Sequence, residues 1–199
     1  MSSFVTPITL SQRGVRLEPL SLAHEYGLRH AAMDGELWKL RITSVPEPEN
    51  TRKYIEDALK MREDGNRFAF AVVENATGKV LGSSSYHDMV PATKRVEIGY
   101  TWYAKSVQRT HVNSTCKLML MTHAFETLQC GVVGWRTDNF NFASQKAIER
   151  LGAQKDGTIR GHALRRDGTI RDTVMYSMRA GEWAEAKAQL LYQLDRPRG

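Results

Sequence analysis

The sequence predicts an α/β (α+β) fold, a mixed β-sheet with helices on both faces. Three observations predict it. Val96–Tyr103 (VEIGYTWY) is rich in β-branched and aromatic residues, which suit a half-buried strand. That run passes through the polar turn Lys105–His111 into apolar residues at Val112, Cys116, Leu120, Ala124 and Leu128, a four-residue step that makes one helix face. Asp167-Gly168 marks a tight hairpin between two strand-like runs. Strands joined by hairpins and strands joined by helices in one chain make a mixed sheet covered on both sides.

The elements follow in order. Residues 1–14 read as an arm of marginal order, because Pro7 and its polar flanks offer little to bury. Val15–Pro19 alternates apolar and polar and reads as a first strand. Ser21 caps a helix with Leu22, Tyr26, His30 and Met33 near one face, and Asp34-Gly35 ends it. Glu36–Ile42 suggests a second short helix carrying Trp38, either a core anchor or a substrate contact. Pro46 and Pro48 enforce an extended link. Asn50 or Thr51 opens a helix with Tyr54, Ile55, Ala58 and Leu59 inward and Gly65 as its stop. Arg67–Glu74 and Val80–Tyr86 are strands across a turn holding Gly78, and the loop His87–Arg95 leads to the strand named first. Val132–Thr137 is a short strand. Asn141 begins a helix with Ala143, Ala147, Ile148 and Leu151 inward and Gly152 as its stop. Gln154–His162 and Ile170–Arg179 flank the Asp-Gly hairpin. Gly181–Leu194 closes the chain as a helix with Trp183, Ala186, Leu190, Leu191 and Leu194, before a loose tail, DRPRG.

A chain of 199 residues holds one sizeable domain or two small ones, and the absence of a linker, repeat or low-complexity tract favours a single domain over 1–199. No run of eighteen apolar residues exists to cross a membrane, and MSSFVTPITL lacks the basic start and long apolar core of a secretory signal. Cys116 and Cys130 have no His or Cys at ligand spacing, so no metal site is expected; free thiols in a reducing cytoplasm are. The net charge of +6 comes from scattered residues, which argues for a solvated surface rather than nucleic-acid binding.

Gln108–Asn113 lies where a strand feeds a helix N-terminus. Unpaired backbone N–H groups and the helix dipole make such a turn an anion site, so a phosphate-bearing ligand is expected there. EIGYTW followed by Q-R-T-H-V-N and a helix resembles the acyl-coenzyme A site of the GNAT superfamily of N-acetyltransferases, nearest the branch containing the ribosomal-protein N-terminal acetyltransferases. A second segment, DNFNFASQKAIERLGA, resembles the family's N-x-x-S-x-x-x-x-x-x-L-G-A, with Asn141, Ser144, Leu151, Gly152 and Ala153 in place. The resemblance covers about Val15 to Arg179. It implies the GNAT fold, a mostly antiparallel sheet of about seven strands in the order β-α-α-β-β-β-α-β-α-β-β.

The family's pyrophosphate loop is Gln/Arg-x-x-Gly-x-Gly/Ala. Gln108 fits its first position, whereas His111 and Asn113 replace small residues, and His111 would be strained if its φ were positive. The resemblance implies acetyl-CoA (coenzyme A) as co-substrate, with backbone contacts from Thr101, Trp102 and Tyr103 to its pantetheine arm. It implies pyrophosphate contacts from Gln108, Arg109, Thr110, His111, Val112 and Asn113, and polar contacts from Asn141 and Ser144. The acceptor is an amine, a peptide N-terminus or a small molecule, and a homodimer is a further expectation.

Acetyl transfer to an amine needs a proton acceptor, an oxyanion donor and a departing thiol. Glu97 is the favoured base, since it points to the opposite face from Val96 and Ile98; a structural carboxylate paired with Arg is the alternative. His87 is the next candidate base. Ser144 is a candidate proton donor to sulfur or a first-turn helix residue, and Asn141 reads equally as a cap. Tyr103 and Tyr176 are candidate acids or core.

Overall fold

The computed structural model describes residues 4–196. Residues 1–3 and the end of the expected tail, 197–199, lie outside the described residues. Eight strands form one sheet. They are β1 (Leu10–Gln12), β2 (Val15–Pro19), β3 (Arg67–Glu74), β4 (Val80–Val90), β5 (Arg95–Tyr103), β6 (Val132–Asp138), β7 (Gln154–Leu164) and β8 (Ile170–Arg179). Their order across the sheet is β1-β2-β3-β4-β5-β6-β8-β7. Every pairing is antiparallel except β5 with β6.

The sequence of β3, RFAFAVVE, shows why the sheet has two covered faces. It is apolar continuously, not alternately, as a strand buried on both sides must be. Phe68, Phe70 and Val72 enter one core with α3 (Val112–Thr122) and α5 (Trp183–Asp195). Ala69, Ala71 and Val73 enter a second core with α1 (Glu25–Met33) and α2 (Thr51–Glu63). The small alanines let those helices lie close. The remaining helix, α4 (Phe142–Glu149), follows β6.

Four expectations are corrected. The segment read as an arm supplies β1, which pairs with β2, and Val5 is buried in the core. In α1 the buried residues are Leu28, Ala31 and Ala32, while Tyr26 and Met33 are exposed. Glu36–Ile42 contains only one 3₁₀ turn, Leu37–Lys39. Strand β4 runs on to Val90, through the expected loop. The central helix also changes pitch, because its last turn, His123–Thr127, is π-helical. There the Tyr86 hydroxyl donates to the Leu120 carbonyl (2.5 Å). Trp183 is buried in its own chain and stacked on Phe125 at 5.3 Å.

Gly82 pairs with Tyr103 at a φ of +154°, and a Cβ there would collide with the Trp102 carbonyl oxygen. Gly82→Ala should lower stability by about 2 kcal/mol or more, since backbone, not a flexible side chain, must move. The urea midpoint should fall at unchanged slope; an unaltered midpoint would refute the steric account.

Candidate active site

The site is built where two parallel strands part. β5 and β6 pair only at Arg95 with Val132, Val96 with Val133 and Glu97 with Gly134. Both strands continue well past that point, β5 to Tyr103 and β6 to Asp138, without pairing to each other. A bulge explains the divergence. Ser85 opposes Gly99 and Ser83 opposes Trp102, so Tyr100 and Thr101 share one partner position on β4. Tyr100 takes a left-handed φ of 49°, which turns the strand. The backbone of Thr101, Trp102 and Tyr103 therefore presents an edge toward the gap. Helices start beyond both strands, α3 after β5 and α4 after β6, so two helix N-termini flank it.

The loop before α3 is set by local hydrogen bonds. Gln108 Nε2 donates to the Tyr103 carbonyl (3.1 Å), and Thr110 Oγ1 donates to the Val107 carbonyl (2.6 Å) while accepting from the Val112 N–H (3.3 Å). The strain considered for His111 does not arise, because its φ is −70° and it stands at the helix N-cap. Its ring Nε2 lies 3.2 Å from the Arg13 carbonyl, turned to β1. The left-handed residue is Arg109, at φ 62°. Val112 is buried and Asn113 half-buried in the first turn, where backbone N–H groups have no intrahelical acceptor.

The second motif lands at the other helix start. Asn141 Oδ1 accepts from the Ser144 N–H (3.0 Å), so Asn141 caps α4 and Ser144 sits in its first turn, as the alternative readings had it. Trp102 is buried toward α2, its indole donating to the Tyr54 hydroxyl (3.2 Å), and Tyr103 faces the opposite core. The Tyr176 hydroxyl donates to Glu149 (3.0 Å) from a fully buried ring, which makes it core.

Glu97 does not stand alone. It is fully buried, and each oxygen holds a guanidinium: Oε1 accepts from Arg95 (2.6 Å) and Oε2 from Arg136 (2.5 Å). Asp88 closes the square by accepting from the same two arginines (3.2 and 2.5 Å). Both carboxylate oxygens are thus taken up by arginines, the arrangement expected for Glu97 in its alternative reading as a structural carboxylate paired with Arg. His87 Nε2 lies 3.9 Å from Glu97 Oε2, next to Tyr100. Burial, with Arg136 and Arg67 adding to it, pulls the His87 imidazole down to about 4 against the opposite pull of Glu97 and Asp88, so it is neutral at pH 7.

Sequence reasoning missed Arg67, Arg136 and Lys117. Two glycines were the available signal, since a glycine inside a strand marks close approach. A Cβ on Gly99 would strike the His87 ring, and one on Gly134 would press on Glu97 Cγ at 2.9 Å. Lys117 was hidden inside an apolar helix face. It is 6% exposed, and its ammonium donates to Thr101 Oγ1 (2.9 Å), which also bonds Ser84 Oγ (2.7 Å).

The model of the family described as acetyltransferase (GNAT) domain matches residues 15–154. The chain belongs to the GNAT family. Among relatives of this GNAT chain is the Bacillus subtilis (strain 168) protein named "Putative ribosomal N-acetyltransferase YdaF", 31% identical over 110 residues. That match spans 55% of this chain and 59% of the relative's length. A GCN5-related N-acetyltransferase from Brucella melitensis superposes with a TM-score of 0.84 at 26% identity, covering 96% of this chain and 86% of that one. RimL, a ribosomal L7/L12 alpha-N-protein acetyltransferase solved in complex with coenzyme A, has a TM-score of 0.73 over 86% of this chain and 98% of its own. Its 19% identity carries the fold alone. The GNAT sheet here has eight strands against the seven expected, the extra one being β1.

Burial pulls the Lys117 ammonium from its ordinary 10.5 down to about 8. Below pH 8 the folded protein holds a charge that burial disfavours, a penalty of about 3 kcal/mol. Between pH 8 and 10.5 the unfolded chain binds more protons than the folded one, so this group's contribution makes stability rise with pH. Lys117→Met should therefore be the more stable protein at pH 7 and lose that advantage by pH 10. Parallel urea curves for the two proteins would refute the buried-charge account.

Proposed function

We propose that this chain moves an acetyl group from acetyl-CoA to a primary amine, with both substrates held at once across the β5–β6 gap. The observation that carries the reading is the gap itself, an unpaired strand edge flanked by two helix N-termini. The residues present fit coenzyme A. The loop and first-turn N–H groups at Gln108–Asn113, with left-handed Arg109, suit a diphosphate, and the free edge at Thr101–Tyr103 suits an amide-bearing arm. When bound, the thioester supplies the acetyl group and a thiol able to depart.

On the face opposite α3, the neutral His87 imidazole takes the proton of the attacking amine. Glu97, 3.9 Å away, supplies the negative charge that favours the imidazolium so formed. Glu97 thus positions and balances instead of touching the amine. The buried free thiols Cys116 and Cys130 suit a reducing compartment, the cytoplasm. A peptide N-terminus and a small-molecule amine are both open to this cleft.

Release of free thiol from acetyl-CoA with a panel of primary amines tests the activity. His87→Gln and Glu97→Gln should each lower kcat by about tenfold or more while acetyl-CoA binding stays nearly constant, the scale of a lost proton-transfer group. Unchanged kinetics in both variants would remove the pair from the mechanism. Asn113→Pro deletes one backbone donor in a first turn that tolerates proline, and should weaken coenzyme A by about tenfold in calorimetry. Equal affinity would place the diphosphate elsewhere.

A further inference from the structure

The charges on the face opposite α3 do not cancel. Strand pairing sets which residues share that face. Arg67 pairs with His87 and His87 with Glu97, while Glu97 pairs with Gly134 on β6. Two and four residues on from Gly134 come Arg136 and Asp138, the latter opposite Thr173 of β8, and Arg171 follows on the same side by alternation. Glu97 and Asp88 neutralise Arg95 and Arg136. Asp138 neutralises Arg165 in a buried pair at 2.6 Å.

Two arginines are left over. Arg67 is 2% exposed. Its guanidinium donates to the Ser85 hydroxyl and the Tyr54 hydroxyl (2.9 Å each) and lies 3.9 Å from the Tyr100 ring centroid. Arg171 is half-buried, and its Nε donates to Thr173 Oγ1 (2.9 Å). Among the described residues, neither is ion-paired to a carboxylate. Burial, followed by the neighbouring Arg136 and Arg165 cations, holds the Arg171 guanidinium below its usual range, with Asp138 and Tyr100 pulling the other way. Arg67 thus borders Tyr100, the bulge residue at the gap, and Arg171 stands on the same face of the sheet.

A buried cation with only hydroxyl and ring partners is costly, and an arriving anion offsets that cost. Arginine offers a planar fork that takes carboxylate or phosphate oxygens two at a time. The coenzyme's diphosphate does not supply that anion in the reading above, because it sits at the α3 N-terminus on the other side of the sheet. We infer that the acceptor is an amine that also bears a carboxylate or phosphate group, recognised by Arg171, with Arg67 adding its charge from the same face of the sheet. This rests on the acetyl-transfer reading. It selects anionic amines, whether free acids or acidic peptides, over polyamines and other polycationic acceptors, which the two uncompensated charges repel.

The test compares acceptors that differ by one charge. γ-Aminobutyrate is set against its amide, and a peptide with Asp at its second position against the same peptide with Asn. With acetyl-CoA, kcat/KM should favour the anionic member by about tenfold or more in one of the two arms, the arm telling free acid from peptide. Arg171→Gln should bring that ratio to within about threefold, and Arg171→Lys should restore part of it, since a lysine keeps the charge but not the fork. A wild-type ratio near unity in both arms, or a preference for the amides, overturns the inference. Calorimetry of the acetylated carboxylate and acetylated amide on the coenzyme A complex separates this from a failure of the enzyme reading. If no amine releases thiol, tighter binding of the carboxylate still upholds the anion site, and equal binding sinks it.

Discussion

The parting of β5 from β6 is the constraint on which the rest of the structure depends. Three residue pairs hold the strands together, and the last of them joins Glu97 to Gly134. At that pair sits the square of Arg95, Glu97, Arg136 and Asp88, whose members come from β4, β5 and β6. The square bolts three strands at the point of divergence. Burying the Glu97 carboxylate and half-burying the two guanidiniums is costly, and such a network adds less to net stability than its four contacts suggest. What it does supply is register, because a one-residue slip of β6 would point Arg136 into the apolar core.

Much of the backbone order was legible because it is written in local rules. The Asp167-Gly168 hairpin, the Asn141 cap and the Gly152 stop each depend on a few adjacent residues. β1 was not legible, since a strand of three residues with polar Ser11 and Gln12 is decided by its partner β2 and not by its own composition. The face of α1 was ambiguous for a different reason. Leu22, Tyr26, His30 and Met33 fit helical spacing as well as Leu28, Ala31 and Ala32 do. The small side chains go inward because the sheet comes close there. Gly27 shows how close, since a Cβ on it would run into Val80.

At the site, the loop was legible through its motif and the polar machinery was not. The motif's glycine position falls on His111, yet the left-handed conformation falls on Arg109, two residues earlier. Sequence spacing does not reveal such a shift of φ along a loop. Glu97 was singled out correctly as facing away from the apolar core, but a single carboxylate in a strand does not announce its partners. Arg136 is 39 residues away and meets Glu97 only through the sheet, and Asp88 joins it through the arginines they share. Lys117 interrupts an apolar helix stripe, and only the position of Thr101 across the gap explains why an ammonium is buried there.

The bulge joins these features into one device. Successive residues at Tyr100 and Thr101 turn to opposite faces of the sheet, and each meets a buried cation. Thr101 accepts from the Lys117 ammonium on the α3 side, and Tyr100 carries the Arg67 guanidinium on the other. Neither cation has a carboxylate partner among the described residues, so both raise the potential within the gap. Low dielectric makes that potential strong at short range. A fold selected for stability alone would have placed apolar residues at both positions, as it did at Phe68 and Leu120. Two uncompensated cations astride one strand bulge instead suit a passage where negative charge arrives, or develops, between the two faces of a sheet.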